Sequence, residues 1–385
     1  MRIKEVYARS IKDSLKQDTI EIFIRTDNGR FTASAPGGVS RGSFETSSFI
    51  ADTRNTVHLF NENSKKITEM EINEISDLRI VEAIIDKRKF GGNTLFALEA
   101  GILKALAFEK RKEVWQLLKP EGRKMPAPVG NIVGGGKHSK NKKKPDFQEF
   151  LVIPHCLRFN TAVETMKEMH KRVGHILKLK ERNFLMKKDA ENAWQTALND
   201  REALSVINSV RNILEHERRI NIDIGVDIAA SHAKRNKKQI EKIAKLDEEF
   251  GLFYIEDPLN ECDFSEWSEL SKKLKGKNCL IVGDDLTATN PARLEKAIKM
   301  KACNAVIVKP NQNGSLLETI KFFNIAKKNK FFTIVSHRAG ETMDDFIADF
   351  AFGMQADFVK FGVLGRERDI KLKRLEEIER RVRQD

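Results

Sequence analysis

The sequence predicts an α/β chain built around a (β/α) barrel, with a smaller α+β domain in front of it. Short apolar runs rich in β-branched and aromatic residues recur between residues 221 and 362, and charged segments of helical period separate them. Such runs have the length and composition of buried parallel strands. A strand and its crossover helix together take about 30 residues, which matches this recurrence. The region therefore predicts repeated β/α units.

A polar side chain stands at or just after the end of each of these apolar runs. Because the strands of a barrel present their carboxyl ends at one mouth, we expect these side chains to meet there. A doubly wound sheet with charged strand ends is the alternative, since a strand-end aspartate often only caps the next helix. Ion pairs that merely close the barrel end are a second alternative. The six residues are Asp227, Glu256, Asp284, Lys309, His337 and Lys360.

Residues 1–123 are predicted to form the α+β domain, and residues 124–385 the barrel. Two strands with an Asn-Gly hairpin signal lie within the first 34 residues, and a glycine-rich loop follows them. Residues 53–119 have helical periodicity. A basic segment at residues 119–126 contains proline and glycine, as expected of a linker.

The second domain begins with a predicted strand that carries Gln148 and Glu149 at its start. Helical patterns follow at residues 161–182 and 200–218, before the β/α repeat begins. Residues 372–385 are predicted to be the last amphipathic helix of the barrel.

Composition indicates a soluble globular protein. Of 385 residues, 40% are hydrophobic and 32% are charged, and no apolar run approaches the ~18 residues of a membrane span. The first residues lack the apolar core of a secretory signal, and the four cysteines form no disulfide or zinc pattern. We therefore expect a cytoplasmic protein without a membrane partner.

The net charge of +13 favours anionic partners. The densest basic run, residues 137–144, has no interleaved aromatic residues and so lacks the stacking platform of a single-strand binder. Nucleic acid is accordingly expected only as an incidental partner.

Three carboxylates that converge at one mouth require a cation, because like charges raise their pKa values. Asp227, Glu256 and Asp284 offer only oxygen ligands, which suit Mg²⁺. A lysine beside such a site can lose its proton and act as a base, which Lys309 or Lys360 would provide. These residues predict proton abstraction next to a carboxylate, with the resulting ene-diolate stabilised by the metal.

Several long stretches resemble the enolases, the phosphopyruvate hydratases of glycolysis. The similarity runs in order along essentially the whole chain, with shortenings after Ser231 and at the end. The stretches are VYARSIKDS (6–14), the glycine-rich loop (36–45), IEDPL (255–259), GDDLTATNP (283–291), VKPNQNGSLLETI (308–320) and VSHRAGETMDDFIADFAFG (335–353).

The resemblance implies an enolase-like (β/α)8-type barrel and a hydro-lyase. The implied reaction is the reversible, magnesium-dependent dehydration of 2-phosphoglycerate to phosphoenolpyruvate in glycolysis and gluconeogenesis. The implied substrate is thus a phosphorylated acid. The resemblance also implies a homo-oligomer, dimer or higher. Two magnesium ions are implied for each active site. The residues that match the family's catalytic set are Lys309, Glu149 and His337; those that match its substrate contacts are Ser40, His138, Gln148, Glu149, Arg338, Ala339 and Lys360; those that match its metal ligands are Asp227, Glu256, Asp284 and Ser40.

The resemblance fails at the loop that carries the general acid. Enolases have Gly-Asp-Glu-Gly-Gly there, whereas this chain has Lys188-Asp189-Ala190-Glu191-Asn192. Alanine stands at the position of the acid, and Glu191 would need a local register change to replace it; Glu149 is the other candidate. An impaired enolase-fold protein that binds or scaffolds a partner such as RNA is therefore an alternative, as is a sister lyase acting on another acid.

Overall fold

A three-stranded antiparallel sheet forms the start of the chain in the computed structural model, as the hairpin signal predicts. The strands β1 (Ile3–Lys12), β2 (Asp18–Thr26) and β3 (Arg30–Ser34) lie in sequence order. Apolar residues on alternate positions of β2 are buried against the helices that follow. The residues that the structure describes are 1–38, 42–119, 121–122, 124–182, 184–231 and 237–384.

The helices after this sheet pack on it through small and branched apolar side chains. The longest of them is buried over most of its length, so it forms the core between the sheet and the rest of the chain. The five helices are α1 (Thr53–Ser64), α2 (Leu78–Ile84), α3 (Lys87–Phe90), α4 (Gly92–Glu109) and α5 (Val114–Leu118).

The second sheet contains ten strands and curls until its two ends meet. The first strand, β4 (Ala127–Pro128), pairs with the last, and only Val129 separates it from β5 (Gly130–Gly134), which pairs with β6 (Glu149–His155). The remaining strands are β7 (Trp194–Gln195), β8 (Asn221–Asp227), β9 (Leu252–Glu256), β10 (Leu280–Gly283), β11 (Ala305–Val308), β12 (Phe332–Ser336) and β13 (Phe358–Lys360). The predicted barrel is thus confirmed.

One strand departs from a uniform β/α repeat. β6 runs antiparallel to both β5 and β8, whereas β8 to β13 run parallel to one another. The chain between β5 and β6 is a loop without a crossover helix, and a parallel connection requires one. As a result, the first residue of β6, Glu149, faces the same end of the barrel as the carboxyl ends of the other strands, opposite Asp227.

Helices cover the outside of the barrel, and apolar side chains fill its interior. The predicted helical patterns are confirmed with small shifts at their ends. The helices are α6 (Phe159–Lys180), α7 (Asp200–Arg218), α8 (Lys237–Phe250), α9 (Phe264–Lys273), α10 (Pro291–Met300), α11 (Pro310–Asn313), α12 (Leu316–Lys328), α13 (Phe346–Gly353) and α14 (Arg366–Gln384). Among the described residues, no helix is both long and apolar enough to cross a membrane.

Candidate active site

The carboxyl ends of the barrel strands surround one enclosed cavity of about 90 Å³. Each of the six strand-end residues follows or ends its strand as the sequence predicts. Eleven predicted site residues line this cavity, and Ser40 lies outside the described residues. The eleven are His138, Gln148, Glu149, Asp227, Glu256, Asp284, Lys309, His337, Arg338, Ala339 and Lys360.

The ammonium group of Lys360 lies among three buried carboxylates. Its Nζ is 2.9 Å from Glu149 Oε2, 3.2 Å from Asp227 Oδ2 and 2.8 Å from Glu256 Oε2. Burial alone would lower the pKa of Lys360, but the carboxylates outweigh burial and raise it well above its usual range. Lys360 is therefore a fixed positive charge at the floor of the cavity.

The three carboxylates around Lys360 are not fully neutralised by its single positive charge. Burial raises the pKa of Asp227 to about 6 and that of Glu256 to about 7, and Lys360 offsets only part of the effect. It also raises the pKa of Glu149 to about 7. A further cation close to these carboxylates would stabilise their charged forms and lower their pKa values.

Lys309, at the end of β11, forms an ion pair with Asp284 Oδ2. Burial would lower the pKa of Lys309, but Asp284 outweighs it, so the pKa is raised. The pKa of Asp284 is lowered in turn, because the attraction of Lys309 exceeds the cost of burial. Lys309 can become a free amine only when this pair is broken.

Potential metal ligands cluster on both sides of the cavity. Within the described part of the chain, two groups of three residues bring ligand atoms within 4.8 Å of one another. The predicted triad of Asp227, Glu256 and Asp284 is not one of these groups. A lysine ammonium group contacts each of its three members. The two groups are His138, Glu149 and Glu191, and Asp257, Asp284 and Asp285.

The loop before β7 brings Glu191, rather than residue 190, to the cavity. Ala190 is exposed, whereas Glu191 is only 6% exposed and its Oε2 lies 3.6 Å from His337 Nε2. Burial opposes the charge on Glu191, but His337 outweighs burial and holds the pKa of Glu191 well below its usual range. Of these two residues, Glu191 is therefore the one whose carboxylate lines the cavity.

Three contacts fix this loop without the usual glycines. Asp189 Oδ1 accepts the backbone N–H of Glu191 and of Ala193, at 2.8 and 3.0 Å, which closes a tight turn. His170 Nε2 hydrogen-bonds to Asn192 O at 2.8 Å. Trp194 then donates its indole N–H to His170 O at 2.7 Å and lies against Gly174, where a side chain would collide with its ring.

Arg338 lies on the opposite side of the cavity from the barrel floor and donates to Glu45 Oε2 at 2.8 Å. Gln312 bridges Glu45 Oε1 and Asp284 Oδ1, at 3.2 Å from each. His138 approaches Glu149 Oε1 at 3.7 Å. The carboxylates of Glu191 and Glu149 raise the pKa of His138 although burial opposes this.

Sequence reasoning missed four acidic or amide residues of the site. Asp257 is buried and accepts the backbone N–H of Asp284 and Asp285, at 3.0 and 2.9 Å. The doubled acids in IED and GDD were a usable signal, because Asp257 and Asp285 lie just beyond their strands, in the loops that surround the mouth of a barrel. Glu45 and Gln312 carried no such signal, since they reach the site through tertiary contacts.

Comparison with known proteins identifies the family. Residues 123–385 match the family model described as enolase, C-terminal TIM barrel domain. The chain is 34% identical to an enolase of Methanosphaera stadtmanae, over 98% of this chain and 96% of that protein. It is 34% identical to an enolase of Picrophilus torridus over 98% of each chain, and 33% identical to one of Archaeoglobus fulgidus over 98% of this chain and 97% of that protein. The chain therefore belongs to the enolase family.

Proposed function

We propose that the protein is a lyase that reversibly dehydrates 2-phosphoglycerate to phosphoenolpyruvate. The observation that carries this is a cavity lined by three lysines, an arginine and a ring of carboxylates, most of them buried. Such a cavity can hold an acid substrate, remove a proton beside its carboxylate and receive a phosphate. A protein that only scaffolds a partner has no need for this set, and no observation favours that alternative.

Lys309 is the proposed base. Its amine would take the proton from C2, and the electrons of that C–H bond would move into the substrate carboxylate. The fixed charge of Lys360 would stabilise the resulting ene-diolate, since charge fixed in a water-poor site acts without reorganisation. The electrons then return to form the C2–C3 double bond while the C3–O bond breaks and water leaves.

Asp227, Glu256 and Asp284 fit a divalent cation. All three offer carboxylate oxygens; Asp227 and Glu256 are buried and Asp284 is half-buried. The raised pKa values of Asp227 and Glu256 indicate that one lysine does not neutralise them. Magnesium bound there would supply positive charge for the substrate carboxylate. A second magnesium, with Ser40 as a ligand, belongs to this proposal as well.

Glu191 is the proposed acid that protonates the departing hydroxyl. It lies in the cavity beside His337, and the alternative position, Ala190, carries no acid. His337 would hold the Glu191 carboxylate in place. Glu191 must take up a proton from solvent before each turnover because, although burial opposes its charge, its contact with His337 holds the pKa of the carboxyl well below its usual range. Glu149 and Gln148 are assigned to the same side of the substrate.

Arg338 is assigned to the phosphate. A guanidinium can bind two phosphate oxygens in parallel, which an ammonium cannot. The backbone of Ala339 and the closing residue His138 are assigned to the same group. When the substrate binds, the Arg338 guanidinium would leave Glu45 and contact the phosphate instead.

The remaining expectations are also proposals. We propose that the chain acts in the cytoplasm as a homo-oligomer, dimer or higher, with a domain boundary after residue 123 and with nucleic acid as an incidental partner only. Light scattering on purified protein would measure the assembly, and a monomer at all concentrations would refute that part.

The test of the proposed function is the formation of phosphoenolpyruvate from 2-phosphoglycerate, followed by its ultraviolet absorbance with magnesium present. We expect turnover by the wild type and none by Lys309→Ala. Lys321→Ala is the control, because Lys321 is an exposed lysine on α12. Equal rates for wild type and Lys309→Ala would overturn the proposal.

A further inference from the structure

A second cavity, of about 380 Å³, lies outside the barrel mouth. It is larger than the active-site cavity and falls within the usual size of small-molecule sites, roughly 300–1,000 Å³. One wall is the segment of residues 139–143 that follows His138, called the lid segment below. The other is the chain between α6 and β7. The lining residues are Asn141, Lys142, Lys143, Glu181, Arg182, Phe184, Leu185, Lys187, Gln195 and Ala197.

Positive charge dominates this lining. Lys142, Lys143, Arg182 and Lys187 are exposed, and none forms an ion pair with any residue that the structure describes. The one acid, Glu181, accepts the hydroxyl of Thr196 and the backbone N–H of Ala197. Four cations around one cavity repel each other, and an anion with several charges would relieve that repulsion.

One wall of the cavity is apolar. The side chain of Leu185 is 70% exposed, and Phe184 is half-buried with its ring 5.8 Å from the ring of Trp194. A purely inorganic anion would leave this wall unused. A ligand with a flat organic group could cover it.

We propose that this cavity binds an organic polyphosphate, such as a nucleoside triphosphate, with its phosphates on the four cations and its organic ring against Phe184 and Leu185. The site is separate from the catalytic one, since the two cavities have no lining residue in common. Lys140 N and Ser139 Oγ both donate to Gln195 Oε1, at 3.2 and 3.4 Å, so the lid segment and the Glu191 loop are joined at the boundary between the two cavities.

The test is calorimetric titration of the full-length protein with ATP, inorganic tripolyphosphate and adenosine. Magnesium and excess 2-phosphoglycerate keep the barrel mouth filled. We expect ATP to bind, tripolyphosphate to bind several-fold more weakly, and adenosine not to bind. The Lys142→Glu/Lys143→Glu variant should weaken ATP binding at least tenfold, and Arg182→Glu should weaken it several-fold.

The matched control is Lys110→Glu/Lys112→Glu, which makes the same change in net charge at exposed lysines after α4. It should bind ATP like the wild type. Equal weakening in both double variants would mean nonspecific attraction and would overturn the proposal, as would the absence of binding by the wild type. If tripolyphosphate bound as tightly as ATP, the proposed contact of an organic ring with Phe184 and Leu185 would be wrong. If only oligonucleotides bound, the proposal of a small-molecule ligand would be wrong. Because no variant here lies in the barrel mouth, failure of this proposal leaves the proposed dehydration untouched.

Discussion

The carboxylate of Glu191 lies 3.6 Å from the imidazole of His337, and both side chains are buried at the barrel mouth. A buried acid at this position can give its proton to the leaving hydroxyl. That proton departs with the water and is replaced from solvent before the next turnover. General acid catalysis of this kind typically contributes about 10²–10⁴ in rate. The proposed mechanism therefore predicts that replacing Glu191 reduces turnover more than replacing any other single residue of the loop.

Exchanging residues 190 and 191 should not preserve activity. In the Ala190→Glu/Glu191→Ala variant the new carboxylate would be exposed, as Ala190 is, and we expect the rate to stay near that of Glu191→Ala alone. Steady-state formation of phosphoenolpyruvate measures both. Recovery of wild-type activity in the exchanged variant would mean that the loop can present either position.

Lys360 should compete with magnesium for the buried carboxylates. Removing its charge in Lys360→Met leaves three acids unpaired, which should lower stability by about 3–5 kcal/mol in metal-free protein. Added magnesium should then raise the melting temperature of the variant more than that of the wild type. Thermal unfolding in chelator and in magnesium tests this.

Lys371→Met is the control for that prediction. Lys371 is equally buried and pairs with Glu341 at 2.8 Å, but it does not line the cavity. Its loss should lower stability without changing the effect of magnesium. A similar magnesium effect in both variants would contradict the proposed competition.

At the scale of elements, the strands and their ends could be predicted from the sequence, because each strand is an unbroken run of buried apolar residues. Runs such as NAVIVK and FFTIVSH have the composition of parallel strands covered on both faces, so their last polar residues fall at the carboxyl edge of the sheet. The loop before β7 was less predictable. Its path depends on His170, Trp194 and Gly174, and no local pattern reveals those contacts.

The contact between Trp194 and α6 should be needed to position Glu191. Trp194→Ala removes the ring that fills the space above Gly174, and we expect kcat to fall about 10²-fold, the cost of a displacement near 1 Å, with little change in KM. Exchange of the substrate C2 proton should persist. Trp194→Phe should recover much of the rate.

Trp267→Phe is the control, because Trp267 is fully buried in α9, away from the loop. It should lower stability and leave kcat unchanged. If Trp194→Ala reduced C2 exchange and product formation equally, the tryptophan would not act through Glu191.

At the scale of the whole molecule, a buried glutamate joins the N-terminal helices to the barrel. Glu99 of α4 accepts the backbone N–H of Leu316, in the first turn of α12, at 2.6 Å. Burial, and then the nearby Glu82 carboxylate, raise the pKa of Glu99 well above its usual range. Sequence could place α4 in the core, but the partner of Glu99 comes from a helix 217 residues away.

Glu99→Gln should stabilise the protein at neutral pH. A raised folded-state pKa means that the folded protein binds the proton more tightly, so the contribution of Glu99 to stability falls as pH rises above the unfolded value of about 4.3. The glutamine keeps an acceptor for Leu316 and cannot ionise. We expect a gain of about 1–3 kcal/mol at pH 7 that disappears toward pH 4.

Denaturant unfolding across this pH range measures the effect. Glu164→Gln, an exposed substitution on α6, should change stability little at any pH. A Glu99→Gln variant that is less stable at neutral pH would show that the ionised carboxylate stabilises the interface.

The central claim is that Lys309 removes the C2 proton and Glu191 protonates the leaving hydroxyl. The most direct test follows C2 proton exchange in deuterated water and phosphoenolpyruvate formation together, in Glu191→Gln. We predict that product formation falls about 10²–10⁴-fold while Lys309-dependent exchange continues near the wild-type rate. Undiminished product formation, or loss of exchange together with product, would contradict the claim.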